Sequence, residues 1–212
     1  MARTLAGIVL LFATSGVAFA QAGGDAAGDP KIADKPAEKP HVNATVSGLD
    51  QTTAPKVQEA LKSIKYKDSE GTSLPVIAKV ETSIEKNAVH ITLAHGASLK
   101  LSEIEKALEP TKVKIDRNSL GFETGCVLKV TAKDASDNSS LREAIDKADL
   151  FDNFEVKSTK DATTFEVNVV KSSAKTTHNS VSKALTGTGD YQLAEVTWSC
   201  PAKKSETAEK AP

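Results

Sequence analysis

Few side chains in this sequence can bind metals, act as nucleophiles or form cross-links. It contains four histidines and two cysteines, and its only methionine is Met1. These residues are His41, His90, His95, His178, Cys126 and Cys200. Imidazole nitrogens bind copper(II) and zinc, whereas thiolate and thioether sulfur select soft copper(I). The chemistry that this chain can support is therefore histidine-based metal binding or disulfide formation.

The placement of the reactive groups argues against catalysis. No serine, histidine and acid stand at a recognisable nucleophile turn. The segment Gly187-Thr188-Gly189 precedes a predicted strand, so it is typical of a chain reversal and not of a phosphate-binding loop. Asp134, Asp137 and Asn138 lack the glycine and final glutamate of an EF-hand calcium loop and are typical of helix caps. We therefore expect a protein that is not an enzyme.

The two ends of the chain carry processing and tail signals. Residues 1–20 combine a cationic start, an apolar run at 5–12 and the ending Ala18-Phe19-Ala20, which predicts a secretory signal peptide. Segments 21–40 and 201–212 contain little bulky apolar sequence, so we expect a disordered linker and a disordered tail. No later apolar run reaches the roughly 20 residues that a membrane span needs. These features predict a secreted or periplasmic protein.

The charge of the chain is balanced. It has 27 basic and 28 acidic residues and a net charge of -1. A protein that binds nucleic acid through its phosphates usually presents a surface of predominantly positive charge. We therefore exclude nucleic acid and expect a protein partner, whose identity the sequence does not reveal.

The apolar residues between 41 and 200 follow one pattern twice, in the order strand, helix, strand, strand, helix, strand. Val42, Ala44 and Val46 alternate with polar residues, as in a strand with one buried face. Val57 and Leu61 then recur at helical spacing. This order predicts an α+β fold of two tandem ferredoxin-like βαββαβ units, each an antiparallel four-stranded sheet with two helices on one face.

The repeat also sets the predicted domain boundaries. The first domain covers 41–117, a linker covers 118–125, and the second domain covers 126–200. An additional loop in the first copy, Lys67 to Pro75, is the main difference in length between the copies. The second strand of each unit is an edge strand, which can pair with a strand of a partner. Its charges, Lys79 and Glu81 in the first unit and Glu155 and Lys157 in the second, equally suit an edge exposed to solvent.

The predicted fold brings the two cysteines together. Its first and fourth strands are antiparallel neighbours, Cys126 begins the first strand of the second unit, and Cys200 ends the fourth. Two cysteines in an exported chain favour one disulfide over two free thiols. We therefore predict a Cys126–Cys200 bridge, which would stabilise the fold by about 4 kcal/mol in the chain-entropy model.

Several stretches of the first copy resemble a known family. Gly48-Leu49-Asp50, Val57-Gln58-Glu59-Ala60-Leu61 and Leu101–Leu108 resemble the heavy-metal-associated (HMA) domain of metallochaperones and metal-transporting ATPases. The likeness spans about 41–116, and 126–200 resembles a more diverged copy. The resemblance implies copper(I) binding through a Cys-x-x-Cys motif in the turn after the first strand.

Both turns that correspond to the family's metal loop lack cysteine. They are Leu49–Ala54 and Asp134–Ser139. We therefore expect no tight copper(I) site. A possible copper or zinc site remains at His41 and His95, which the predicted sheet places at neighbouring strand ends; the alternative is that the histidines are isolated on the surface. The leading hypothesis is an HMA-like protein without thiolate metal binding that acts through protein contacts, and the main alternative is a metal-binding protein with histidine and carboxylate ligands.

Overall fold

The computed structural model describes residues 41–122, 125–134, 137–172 and 176–201. These residues belong to one compact unit. The predicted signal peptide at 1–20, the predicted linker at 21–40, and the predicted tail at 201–212 apart from Pro201 lie outside the described residues. Within the described part of the chain, no helix has both the length and the apolar character needed to cross a bilayer.

The first half of the described chain contains seven strands and two α-helices. They are β1 (His41–Ser47), α1 (Thr53–Lys62), β2 (Lys65–Lys67), β3 (Ser73–Pro75), β4 (Ile77–Ser83), β5 (Ala88–Leu93), β6 (Ser98–Lys100), α2 (Leu101–Leu108) and β7 (Lys114–Ile115). A short 3-10 turn, Glu109–Thr111, follows α2.

The second half contains four strands and two helices. They are β8 (Cys126–Ala132), α3 (Asn138–Lys147), β9 (Phe151–Ser158), β10 (Thr164–Ser172), α4 (His178–Gly187) and β11 (Tyr191–Ser199).

Local patterning explains the individual elements. Val42, Ala44 and Val46 are buried while the residues between them are exposed, so β1 has one face in the core. Gly48 follows the strand; its φ of +82° favours glycine, and a Cβ there would lie 3.3 Å from the carbonyl oxygen of Lys112. Each helix buries one apolar stripe beneath a sheet, as the helical spacing predicts.

The predicted pair of ferredoxin-like four-stranded units is wrong. The described chain is a mixed α/β structure with a four-stranded sheet in the order β4-β5-β1-β7, a five-stranded sheet in the order β6-β11-β8-β10-β9, and a two-stranded sheet of β2 and β3. The fifth strand of the second sheet, β6, comes from the first half of the chain. It pairs with β11 so that Leu99 lies opposite Trp198, which buries both side chains and gives β11 a second hydrogen-bonded neighbour.

The loop predicted between Lys67 and Pro75 is also more ordered than expected. It contains the turn that joins β2 to β3, in which the Asp68 carboxylate accepts hydrogen bonds from the N–H groups of Glu70 (3.0 Å) and Thr72 (2.8 Å). An aspartate that bonds the backbone two and four residues ahead stabilises a tight turn. The hairpin therefore forms from local turn chemistry that the apolar pattern does not reveal.

The two halves share one core. The segment predicted as a linker, 118–125, packs closely through its described residues, because Leu120 and Phe122 are buried and Gly121 pairs with Thr177. The backbone N–H of His178 donates to the carbonyl of Leu120 at 2.8 Å. One continuous cluster of buried apolar residues extends from Val42 to Cys200. Packing therefore couples the two halves directly.

Candidate functional site

The turn after β1 is organised around Asp50. Its carboxylate accepts hydrogen bonds from the N–H groups of Thr52 (2.8 Å) and Thr53 (2.7 Å) and from the Thr53 hydroxyl (3.0 Å). The hydrogen bond from the Thr53 N–H is the main reason why the pKa of Asp50 is lowered. Here a carboxylate of the chain itself binds the N–H groups at the start of α1.

In the corresponding turn of the second half, an aspartate also accepts a hydrogen bond from the start of a helix. Asp137 accepts a hydrogen bond from the backbone N–H of Ser140 at 2.9 Å, and this bond is the first cause of its lowered pKa. Asp137 is therefore the N-cap of α3. Residues 135 and 136 of the predicted turn Asp134–Ser139 lie outside the described residues.

The two cysteines do not form the predicted disulfide. Both are free and buried. Cys126 lies directly opposite Trp198, so Cys200, which follows the last residue of β11, is its diagonal neighbour. Diagonal neighbours are about 7–8 Å apart, whereas disulfides need Cα separations of about 4.4–6.8 Å. Burial also raises the pKa of the Cys126 thiol far above its ordinary value, which keeps it protonated and unreactive.

The structure places His41 and His95 with different neighbours. The ring of His41 lies 4.9 Å from the ring of His90, between centroids. The Nδ1 atom of His95 lies 3.8 Å from the Sγ atom of Cys200. Among the described residues there is no cluster of three or more His, Cys, Asp or Glu side chains arranged to hold a metal ion. The pair His41 and His95 remains a prediction.

The other histidines have separate environments. Nδ1 of His90 forms a short hydrogen bond with Oδ1 of Asn43, its direct partner on β1. His178 starts α4 and stacks on Phe122 with centroids 6.4 Å apart. Burial, with a smaller contribution from the positive charge of Arg117, lowers the pKa of His178.

The five-stranded sheet carries a row of charges on the face opposite α3 and α4, which we call the outer face. The residues of this charge row are Lys157 on β9, Glu166 on β10, Lys129 on β8 and Glu195 on β11. Lys157 lies opposite Glu166, Glu166 opposite Lys129, and Lys129 opposite Glu195. Signs therefore alternate across four adjacent strands.

The surroundings of the charge row form a shallow depression of about 570 Å³. Lys100 and Ser102 line one side, and the Ser102 hydroxyl donates a short hydrogen bond to Glu195. Asp161 lines the other side, where the Thr163 N–H, the Thr163 and Thr164 hydroxyls and, more weakly, Lys129 lower its pKa. The depression thus contains side chains of both signs, of which Glu195 and Asp161 are positioned by hydrogen bonds.

The four edge strands of the two larger sheets are poorly suited to pairing with another strand. The edge strands β6 and β7 have only three and two residues. Irregularities interrupt the pairing of β4 and β9 with their neighbours, and each of these strands carries a lysine–glutamate ion pair, at 2.9 Å on β4 and 3.0 Å on β9. Short, irregular and charged edges protect sheets from edge-to-edge association. The outer faces are therefore better candidates for binding than the edges.

Sequence reasoning missed the charge row because its members are far apart in the chain. Lys157, Glu166 and Glu195 stand among many charged residues, and no local pattern singles them out. The sequence indicated only that these residues occupy the exposed face of their predicted strands, because side chains alternate between the two faces of a strand. Which of these charges face one another follows only from the register between the strands.

The chain matches no protein-family model, no curated protein and no solved structure.

Proposed function

We propose that this protein is a non-catalytic binding module that recognises a protein partner through the outer face of its five-stranded sheet. The observation that carries the proposal is the charge row, with the depression of about 570 Å³ around it. A surface with fixed charges of both signs selects a partner with the complementary arrangement and disfavours partners of uniform charge.

The non-catalytic part of the proposal is supported by the state of the reactive groups. Cys126 and Cys200 are buried, and the pKa of the Cys126 thiol is raised, opposite to what a nucleophile requires. Asp50 and Asp137 are engaged with helix starts. The hydrogen bonds of the two aspartates and the burial of the two cysteines give all four side chains a structural role.

Stabilisation of the sheet alone would also favour alternating charges, since opposite charges in facing positions contribute roughly 0.2–1 kcal/mol per pair. The depression favours recognition in addition, because Lys100 and Asp161 extend the charged surface beyond the paired positions. The charge row can thus serve partner binding, sheet stability or both, and the effect of a charge reversal on binding can be measured separately from its effect on stability.

The test uses the Lys129→Glu variant and a matched control. The full chain is immobilised and exposed to the secreted or periplasmic proteins of the cell that makes it, and the bound proteins are identified by mass spectrometry. We expect Lys129→Glu to lose the specific partner, because it reverses the central charge of the row.

Lys183→Glu is the control, since it makes the same charge change at an exposed position of α4 on the opposite side of the sheet. This variant should retain the partner. Loss of binding in both variants, or in neither, would contradict recognition by the outer face. Unfolding curves for both variants distinguish a binding defect from a folding defect.

A further inference from the structure

Two imidazoles lie side by side on the outer face of the four-stranded sheet, the face that carries Asn43 and Thr45. His41 lies on β1 and His90 on the neighbouring strand β5. Their ring centroids are 4.9 Å apart and the ring planes are inclined by 37°. In the register of the two strands, His90 is opposite Asn43 and His41 is opposite Thr92, so the histidines are diagonal neighbours.

We propose that His41 and His90 form a divalent metal site that binds copper(II) and, more weakly, zinc. Metal–nitrogen bonds of about 2.0–2.1 Å and N–metal–N angles of about 90–109° place the centroids of two coordinating imidazoles about 4.5–5.2 Å apart. The observed separation of 4.9 Å lies within this range. The separation of the two rings is therefore compatible with a shared ion.

Asn43 determines which ring nitrogen of His90 is available to a metal ion. Its Oδ1 atom forms a short hydrogen bond with Nδ1 of His90. An amide oxygen can only accept, so Nδ1 must carry the proton and Nε2 keeps its lone pair. Histidines that bind metals commonly donate the other ring N–H to an oxygen in this way, which fixes the tautomer and the ring orientation.

Among the described residues no third His, Cys, Asp or Glu side chain is arranged with this pair to hold an ion, so water would complete the coordination sphere. Glu81 lies opposite His90 on β4, but its carboxylate is 2.9 Å from the ammonium group of Lys79. Both histidines are only partly buried, so an ion can reach this pair from solvent. Copper(II) should bind more tightly than zinc, because stability constants for nitrogen and oxygen ligands peak at copper(II).

Calorimetric titration of the full chain without an affinity tag tests the proposal, with copper(II) sulfate and zinc sulfate as the probes. We expect one copper(II) site, and a loss of affinity of at least about tenfold in both His41→Ala and His90→Ala, because each removes one of two protein ligands. Asn43→Ala should weaken binding by about 10–100-fold, as expected for loss of an orienting partner. His178→Ala is the control and should bind like the wild type.

A second measurement needs no variant. Paramagnetic copper(II), added in substoichiometric amounts, should broaden the imidazole NMR signals of His41 and His90 before those of His95 and His178. Broadening of His41 together with His95, or unchanged affinity in His90→Ala, would overturn the proposal and favour the pair predicted from sequence. Absence of any copper(II) binding to the wild type would overturn it as well.

Discussion

Replacement of Leu99 by alanine tests whether the two halves of the chain are joined by β6. Leu99 is fully buried, belongs to the first half of the sequence, and lies opposite Trp198 of the second half. Removal of a buried leucine side chain costs its transfer free energy and leaves a cavity, together about 2–5 kcal/mol. We expect Leu99→Ala to lower the free energy of unfolding by an amount in this range.

The assay uses the only tryptophan of the chain as a local probe. Trp198 is buried in the five-stranded sheet, so its fluorescence follows unfolding of the second half, while far-ultraviolet circular dichroism follows both halves. In urea, the two signals should give coincident transitions for the wild type and the variant, because the halves share one core. The variant should shift both midpoints to lower urea concentration.

The matched control is Ile84→Ala. Ile84 is 41% exposed in the turn between β4 and β5, and exposed substitutions usually change stability by no more than about 0.5 kcal/mol. If the fluorescence transition of Leu99→Ala coincided with that of the wild type, or if the two probes of the wild type gave separate transitions, the reasoning from β6 would be refuted.

Three further predictions concern thiols and pH. In non-reducing mass spectrometry Cys126 and Cys200 should be unlinked, and a thiol reagent should label both only after unfolding; a peptide pair joined by a disulfide would contradict this. The pKa of Asp137 is lowered in the folded state, so the stabilisation by its carboxylate is present above the unfolded pKa of about 3.8 and is lost as the pH falls through the lower folded value. The acid unfolding curve of Asp137→Asn should lack this loss of stability. An acid transition that matched that of the wild type would argue against the cap. The pKa of His178 is also lowered, but here it is the neutral form that the folded state favours. The unfolded state binds the proton more readily, so the stability of the protein should rise as the pH increases toward 6.5. Thermal melts of His178→Gln between pH 5 and 7 should lack this rise.

Much of the local structure could be predicted from the sequence. The alternation of Val42, Ala44 and Val46 marks β1, and the spacing of Val57 and Leu61 marks α1, and the structure contains both elements. Such patterns suffice because each element must bury one face, and the residues of that face lie within a few positions of one another. The missing cysteines in the two turns are likewise a property of the sequence alone.

The candidate sites depend on strand register, which local patterns do not determine. The pairing of β1 with β5 places His41 beside His90, a neighbour that sequence reasoning did not assign to it. A shift of one residue in register exchanges the two faces of a strand, so small errors in pairing separate residues that seemed adjacent. The same limit applies to Cys126, whose direct partner is Trp198 and not Cys200.

The sequence by itself determined the positions of the helices and long strands, the balanced charge and the absence of a thiolate motif. Only the tertiary structure decided that β6 joins β11, because that contact links Leu99 to Trp198 across 99 positions of the chain. Nothing in the three residues of β6 distinguishes this partner from any other strand edge. The choice is made by the burial that both side chains gain together, and this gain exists only when the whole core has assembled.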